Sequence, residues 1–169
     1  MASFRQLAGR AGPESVLAAW ELAWMHLKAD SGENDGSVWL IEDDIRGSAA
    51  QLERLVRITR EVAADFSARK ILSYEQDPHW AFWKPALRFF PLPARSVNSI
   101  CRLSSRLVSV VLEFHRKNQQ GIFHEMLLAS LAVEHGLSFF DWSADEETAP
   151  LVDGSRWDRD AAGEMVSEE

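Results

Sequence analysis

The stretch Val38-Trp39-Leu40-Ile41-Glu42-Asp43-Asp44-Ile45 limits the folds open to this chain more than any other, because an apolar run stops there on three consecutive acids. An unbroken apolar run with β-branched members has the pattern of a strand covered on both faces, and such a strand has no room for three carboxylates inside the core. The acids therefore belong at its C-terminal mouth. That is where open α/β sheets bind ligands, and where crowded carboxylate oxygens can face a divalent cation and a phosphate.

Composition removes several alternatives. With 169 residues, 46% hydrophobic and 26% charged, the chain can bury one proper core, and one domain is expected. A formal charge of -8 with no cluster of Lys and Arg argues against a nucleic-acid partner. No apolar stretch approaches the length of a spanning helix, and the start of the sequence lacks a signal-peptide pattern, so no membrane span is expected. The single cysteine, Cys101, excludes an internal disulfide and a Cys-based metal cluster, which makes a reducing cytoplasm the expected compartment.

Periodicity then orders the chain. Gly12-Pro13-Glu14-Ser15 opens an expected helix with Leu17, Trp20, Trp24 and Leu27 on one face, and Gly32, Asn34, Asp35 and Gly36 mark a turn into the acidic strand. A second helix is expected from Gly47-Ser48 to about residue 64, with Leu52, Leu55, Val56, Thr59 and Val62 facing inward. Residues 70–75 read as a strand, so 38–75 is expected to form a right-handed parallel strand-helix-strand unit. Between 76 and 95, Pro78, Pro85, Pro91 and Pro93 among Trp80, Phe82, Trp83, Phe89 and Phe90 exclude a regular helix or a central strand. That aromatic loop is either packed over the core or used as a binding wall. A strand at 96–101, a helix at about 104–117, a helix at 124–135 closed by Gly136, and a strand at 137–142 complete the domain. The expected fold is one α/β domain over 1–142 with a mixed, mainly parallel sheet flanked by helices. Residues 143–169 form an acidic, mobile tail in which Trp157 is a candidate anchor.

Three readings of the acids compete. Asp43 and Asp44 can cap the next turn while Glu42 is solvated. A receiver-like phosphoacceptor pocket also uses adjacent acids, but it wants a lysine near the end of a later strand, and Lys70 begins its strand instead. A divalent ion held by one or two carboxylates and completed by substrate diphosphate oxygens and water fits better.

An apolar strand ending Glu-Asp-Asp, an aromatic loop, and an acid opening a later helix resemble, in that order, the GT-A type of nucleotide-sugar glycosyltransferase. The resemblance covers about residues 13–142 and implies a shortened GT-A-like scaffold. It also implies metal-dependent transfer of a sugar from a nucleotide-sugar donor to an acceptor hydroxyl. On that resemblance Glu42-Asp43-Asp44 corresponds to the Asp-x-Asp-like motif, with Glu42 and Asp43 beside the donor and Asp43 and Asp44 facing Mn2+ or Mg2+. Glu125, in Gly121-Ile122-Phe123-His124-Glu125, resembles the carboxylate that deprotonates the acceptor in inverting members; a glutamate in a first helical turn is also favoured by the helix dipole. Arg102, in Cys101-Arg102-Leu103-Ser104-Ser105, resembles an Arg-x-Ser segment that contacts donor, leaving group or acceptor, with a surface salt bridge as the alternative.

His79, Trp80 and Trp83 are candidates for an acceptor wall, with core packing as the other reading. His124 is either a metal or phosphate ligand or a satisfied boundary residue. Asp145, Asp153 and Asp158 are undifferentiated candidates for a further metal ligand. Only one helix fits before Val38. The nucleoside pocket is therefore expected to be completed by chain outside this sequence or by a partner subunit, or to be missing from a non-catalytic scaffold or interaction protein. A phosphohydrolase using Asp43 or Asp44 as nucleophile is a weaker alternative, since no lysine or second acidic cluster stands at a suitable strand end.

Overall fold

In the computed structural model, which describes residues 36–41, 48–80, 82–118 and 122–152, Ser48 opens the first helix with a reciprocal cap. Its hydroxyl accepts from the Gln51 backbone N–H at 3.2 Å while its own N–H donates to Gln51 Oε1 at 3.0 Å. A box of this kind is worth about 1 kcal/mol and sets where helix α1, Ala49–Arg60, begins. Arg57 and Arg60 in the last turn complement the helix dipole, and Leu55 and Thr59 form its buried stripe. The helix stops short of the expected residue 64 because the chain is bound elsewhere: the Arg102 guanidinium donates to the carbonyls of Val62 and Ala64 at 3.4 and 3.2 Å. The first expected helix, the triplet Glu42, Asp43 and Asp44, and residues 153–169 with Trp157 lie outside the described residues.

Four strands form one sheet in the order β1-β3-β2-β4, where β1 is Val38–Ile41, β2 is Phe66–Ser73, β3 is Ala94–Leu103 and β4 is Phe139–Asp141. The expected mainly parallel sheet is corrected here: β3 pairs antiparallel with both β1 and β2, and only β2 and β4 are parallel. The physical reason lies in the connection after β2. The chain turns back through the aromatic segment and inserts β3 between β1 and β2, so those two strands point the same way without touching. Strand β2 begins four residues before the expected start. Its opening, Phe66-Ser67-Ala68-Arg69, alternates apolar and polar residues over only four positions, is buried throughout and pairs on both edges.

Two irregularities shape the sheet. From the pair Ser67 and Arg102 to the pair Arg69 and Val97, two steps on β2 correspond to five on β3. This bulge lets Ala94, Ser96 and Asn98, and then Cys101 and Leu103, all serve the same side of the sheet. On β2 the extra residue is Lys70, at φ +50°. A left-handed lysine costs on the order of 1 kcal/mol and persists only where its surroundings hold it. Asp141, ending β4, does so: its carboxylate accepts from the backbone N–H groups of Lys70, Ile71 and Ser143 at 3.0, 2.9 and 2.8 Å.

Helices cover both faces. Helix α3, Ser105–Asn118, and helix α4, His124–Glu134, pack on one side over Leu40, Phe66, Ala68, Cys101 and Leu103. Every residue from Met126 to Ala132 is buried, which makes α4 a core helix rather than an amphipathic one. On the other side Leu55 of α1 meets Ile100, Trp142, Leu151 and Val152, with Trp39 stacked on Trp142 at 5.8 Å. Packed structure thus continues past Trp142 into the segment expected as tail: Ala149–Leu151 is a 3-10 turn, and the Thr148 hydroxyl donates to the Trp142 carbonyl at 2.9 Å. Among the described residues there are four helices, and none is long and apolar enough to cross a membrane.

Helix α4 ends as its sequence suggests. Gly136 sits at φ +59°, its N–H donates to the Val133 carbonyl, and the Leu137 N–H donates to the Ala132 carbonyl at 2.8 Å. Nothing stands within 4 Å of where a Cβ would be, so Gly136→Ala meets backbone strain alone. It should lower stability by about 1 kcal/mol in urea unfolding, with Gly136→Asn recovering part of that loss.

A second expectation concerns Asp65, which precedes β2. Its carboxylate accepts from the Ser104 hydroxyl at 2.9 Å and from the Ser138 N–H and hydroxyl, both at 3.0 Å. Burial alone would raise its pKa. The bonds from Ser104 and Ser138, with Arg106 nearby, outweigh that and hold it below the usual carboxylate range. A lowered folded pKa means the ionised bonds stabilise fully above the unfolded value and are lost as pH falls through the folded one. Asp65→Asn should therefore cost about 2 kcal/mol near neutral pH, with the gap to wild type closing in urea titrations as pH falls through the lowered folded pKa.

Candidate functional site at the start of the core helix

Glu125 is half-buried in the first turn of α4, and β3 holds that turn in place. Phe123, at the N-cap, makes no side-chain cap. Two buried polar residues of β3 position the helix start instead. Asn98 Nδ2 donates to the His124 carbonyl at 3.1 Å, and the Ser96 hydroxyl, 2.6 Å from Asn98 Oδ1, lies 3.3 Å from the Glu125 carbonyl. Buried amides and hydroxyls are costly without partners, and here the partners are helix backbone. Further along, the Ser130 hydroxyl accepts from the Ala94 N–H at 3.0 Å and donates to its carbonyl at 2.9 Å, fixing α4 against the beginning of β3.

Strand β1 aims at the same level of the sheet. Ile41 stands opposite Ile100, two residues along β3 from Asn98, and β1 runs antiparallel to β3, toward Asn98. The strand whose sequence continues into Glu42, Asp43 and Asp44 thus points to where α4 begins. Those three acids lie outside the described residues. Among the described residues no group of three His, Cys, Asp or Glu side chains is placed to hold a metal ion. An open depression of about 600 Å³ runs along α1, lined by Leu52, Val56, Arg57 and Arg60 among others of that helix, and includes none of the candidate site residues.

His124 is a neutral group here. Burial pushes its pKa down to about 4, and its ring meets Phe123 edge-on at 5.0 Å. A neutral imidazole brings no positive charge to a phosphate, which favours the boundary reading over phosphate binding.

Arg102 is taken up by the fold. It lies mid-sheet, between Trp39 on β1 and Ser67 on β2, and its guanidinium binds the two carbonyls that turn the chain from α1 into β2. Burial lowers its pKa, and the charge of Asp65 acts against that lowering.

The aromatic segment divides into core and surface. Residues Trp83–Ala86 form a one-turn helix, α2, a correction to the helix-free expectation; Pro85 is tolerated because it falls in a first turn. Trp83 is 3% exposed, and its indole N–H donates to the Asp77 carbonyl at 2.6 Å. It is therefore a core residue and offers no open face to an acceptor. Phe90 is also buried and stacks on Phe114 at 5.6 Å. Trp80 is half-buried with Arg95 over its ring at 5.1 Å, and Arg95 is in turn bound to Asp77 at 2.5 Å. His79 is exposed.

Sequence reasoning left two exposed rings outside the candidate site, Phe82 and Phe123, whose centroids lie 6.3 Å apart. The position of Phe123 two residues before Glu125 was the signal for one. Nothing local in the sequence pairs it with Phe82.

Arg102→Ala should lower stability by about 1–3 kcal/mol, since the carbonyls of Val62 and Ala64 lose their donor. Urea unfolding beside nucleotide calorimetry checks this: unchanged stability with weakened nucleotide binding would return Arg102 to the donor site. Comparisons of the chain with protein families, with curated proteins and with solved structures find no match.

Proposed function

We propose that the protein is a GT-A-like glycosyltransferase that moves a sugar from a nucleotide donor to an acceptor hydroxyl with the help of Mn2+ or Mg2+. The observation that carries this reading is the convergence on β3: the strand leading into Glu42-Asp43-Asp44 ends opposite Ile100, and the Glu125 turn is bound two to four residues away by Asn98 and Ser96. Transfer needs two separated acidic sites, and the direction of β1 toward Asn98, which binds the turn bearing Glu125, supports that reading.

Carboxylate oxygens at Asp43 and Asp44 are the donor set that hard divalent ions prefer, and a bound ion there would offset charge on the departing diphosphate. Glu42 would contact the donor or an ordered water. Glu125 would take the proton of the acceptor hydroxyl as that oxygen attacks the sugar carbon. The lone buried thiol, Cys101, fits a reducing cytoplasm.

A second reading is favoured by one observation. Trp83 and Phe90 are buried in the core and wall no acceptor cleft, which supports a scaffold or interaction protein that keeps the sheet without the activity, although not one with an open groove built from these rings.

Calorimetric titration with UDP and GDP, each with and without manganese, separates the two. Manganese-dependent binding should be present in wild type, abolished in Asp44→Ala and retained in Glu125→Gln, with Asp44→Ala as stable as wild type. Absence of binding to both nucleotides, or unfolding of Asp44→Ala, would favour the scaffold and a capping role for Asp44.

A further inference from the structure

Between Phe82 and Leu92, on the connection from β2 to β3, the exposed side chains are of two kinds only: apolar, proline included, and cationic. There is no acid and no uncharged polar residue in that stretch. Phe82 is 58% exposed, Leu87 48% and Leu92 68%, and the cations are Lys84 and Arg88. Pro85 and Pro91, also exposed, have no backbone N–H to offer a partner. The charge bias extends along the chain, since residues 78–112 hold five Lys or Arg and no Asp or Glu in a protein of formal charge -8.

Packing holds this surface in place. Trp83 and Ala86 are buried one turn apart in α2, so Phe82 and Leu87 flank the buried edge while Lys84 and Arg88 stand on the outer side. Tyr74 ties the segment together: its ring meets Trp83 edge-on at 5.6 Å and its N–H donates to the Pro93 carbonyl at 3.0 Å. Of the acids flanking the basic run, Asp77 is bound by Arg95, and Glu113 by Arg116 and Lys117, while Glu75 is exposed at the border beside Tyr74. Phe123, the ring next to Phe82, is followed by the neutral His124 and the half-buried Glu125. The fully exposed charge within the segment itself is positive.

We propose that residues 82–92 form a membrane-contact surface for an anionic bilayer leaflet, with Phe82, Leu87 and Leu92 entering the headgroup layer and Lys84 and Arg88 meeting its negative charge. Lying on a bilayer needs no spanning helix, only exposed apolar side chains beside Lys and Arg. The apolar stems of Lys84 and Arg88 let their charged ends remain at the phosphates while the neighbouring side chains go deeper. A partner protein fits less well. Protein interfaces carry about one hydrogen bond per 100–200 Å², and this segment exposes no neutral polar side chain to make them. The surface works in this way whether or not the turn bearing Glu125 takes part in sugar transfer.

The test is flotation of the full chain with vesicles of phosphatidylcholine alone and of phosphatidylcholine mixed with phosphatidylserine, at low and high salt. The chain should float with the mixed vesicles far more than with phosphatidylcholine alone, and high salt should weaken the partition. Lys84→Ala and Arg88→Ala should each weaken it about fivefold. Phe82→Ser and Leu92→Ser should each weaken it about tenfold, with urea unfolding of Leu92→Ser unchanged because that side chain is already in solvent.

Absence of flotation with the phosphatidylserine vesicles would overturn the membrane surface and leave the exposed side chains to a protein partner. Flotation that survives Phe82→Ser and Leu92→Ser combined in one chain would overturn it as well, by placing the contact elsewhere. Equal flotation with both kinds of vesicle would overturn the part assigned to Lys84 and Arg88.

Discussion

The carboxylate of Asp65 joins three stretches of chain at one point. Through Ser104 it fixes the start of α3, through Ser138 it fixes the approach to β4, and its own backbone leads directly into β2. The bonds are reciprocal: the Asp65 N–H donates to the Ser138 carbonyl at 2.9 Å, and its carbonyl accepts from the Ser104 N–H at 2.8 Å. Ser104 also caps α3, accepting from the Leu107 N–H at 3.2 Å. One acid thus sets the register of β2 between its neighbours and the entry of a helix. The junction anchors the end of β3, the strand whose Ser96 and Asn98 hold the Glu125 turn farther along.

The opposite end follows a different logic. There the sheet is irregular, with a bulge on β3 and the left-handed Lys70 on β2, and polar side chains replace ladder bonds. Ser96 and Asn98 turn inward because the β3 bulge changes which side of the sheet they serve, and they bind helix backbone that an unbroken strand would have met with apolar groups. The helix start is thereby held by bonded neighbours as well as by packing, at the expense of a regular core.

Much of this was legible in the residues. Gly47-Ser48 marked a helix start, Gly136 marked a helix end, and the apolar pattern of Leu107, Val110, Val111 and Phe114 marked α3, because each signal is local. The pairing of strands was not legible in the same way. The strand from Val38 and the strand expected at 70–75 read as neighbours in a parallel unit, and only the return of β3 between β1 and β2 decides otherwise; that insertion depends on contacts remote in sequence. Trp83 and Phe82 differ by one position and are both aromatic, yet one is core and the other surface. The indole N–H of Trp83 found the Asp77 carbonyl, and a composition-level reading has no means to assign that bond. The role of Arg102 was hidden for the same reason, since its partners, the carbonyls of Val62 and Ala64, lie about forty positions away.

Strand β4 bears on how the molecule is built over time. It has three residues, pairs with β2 across more than seventy positions of chain, and completes the sheet at one edge. Closing so long a loop costs chain entropy before any bond compensates for it, whereas the β2-β3 pairing and the helices on β3 close much shorter ones. Assembly should therefore run from the hairpin of β2 and β3 with α4 against it, and β4 should dock last. The same strand is then the natural first point of opening in the native state. When it leaves, Lys70 loses the carboxylate that holds its unusual backbone, and β2 is left with an unpaired edge, the surface through which a partly opened copy of this chain would meet another.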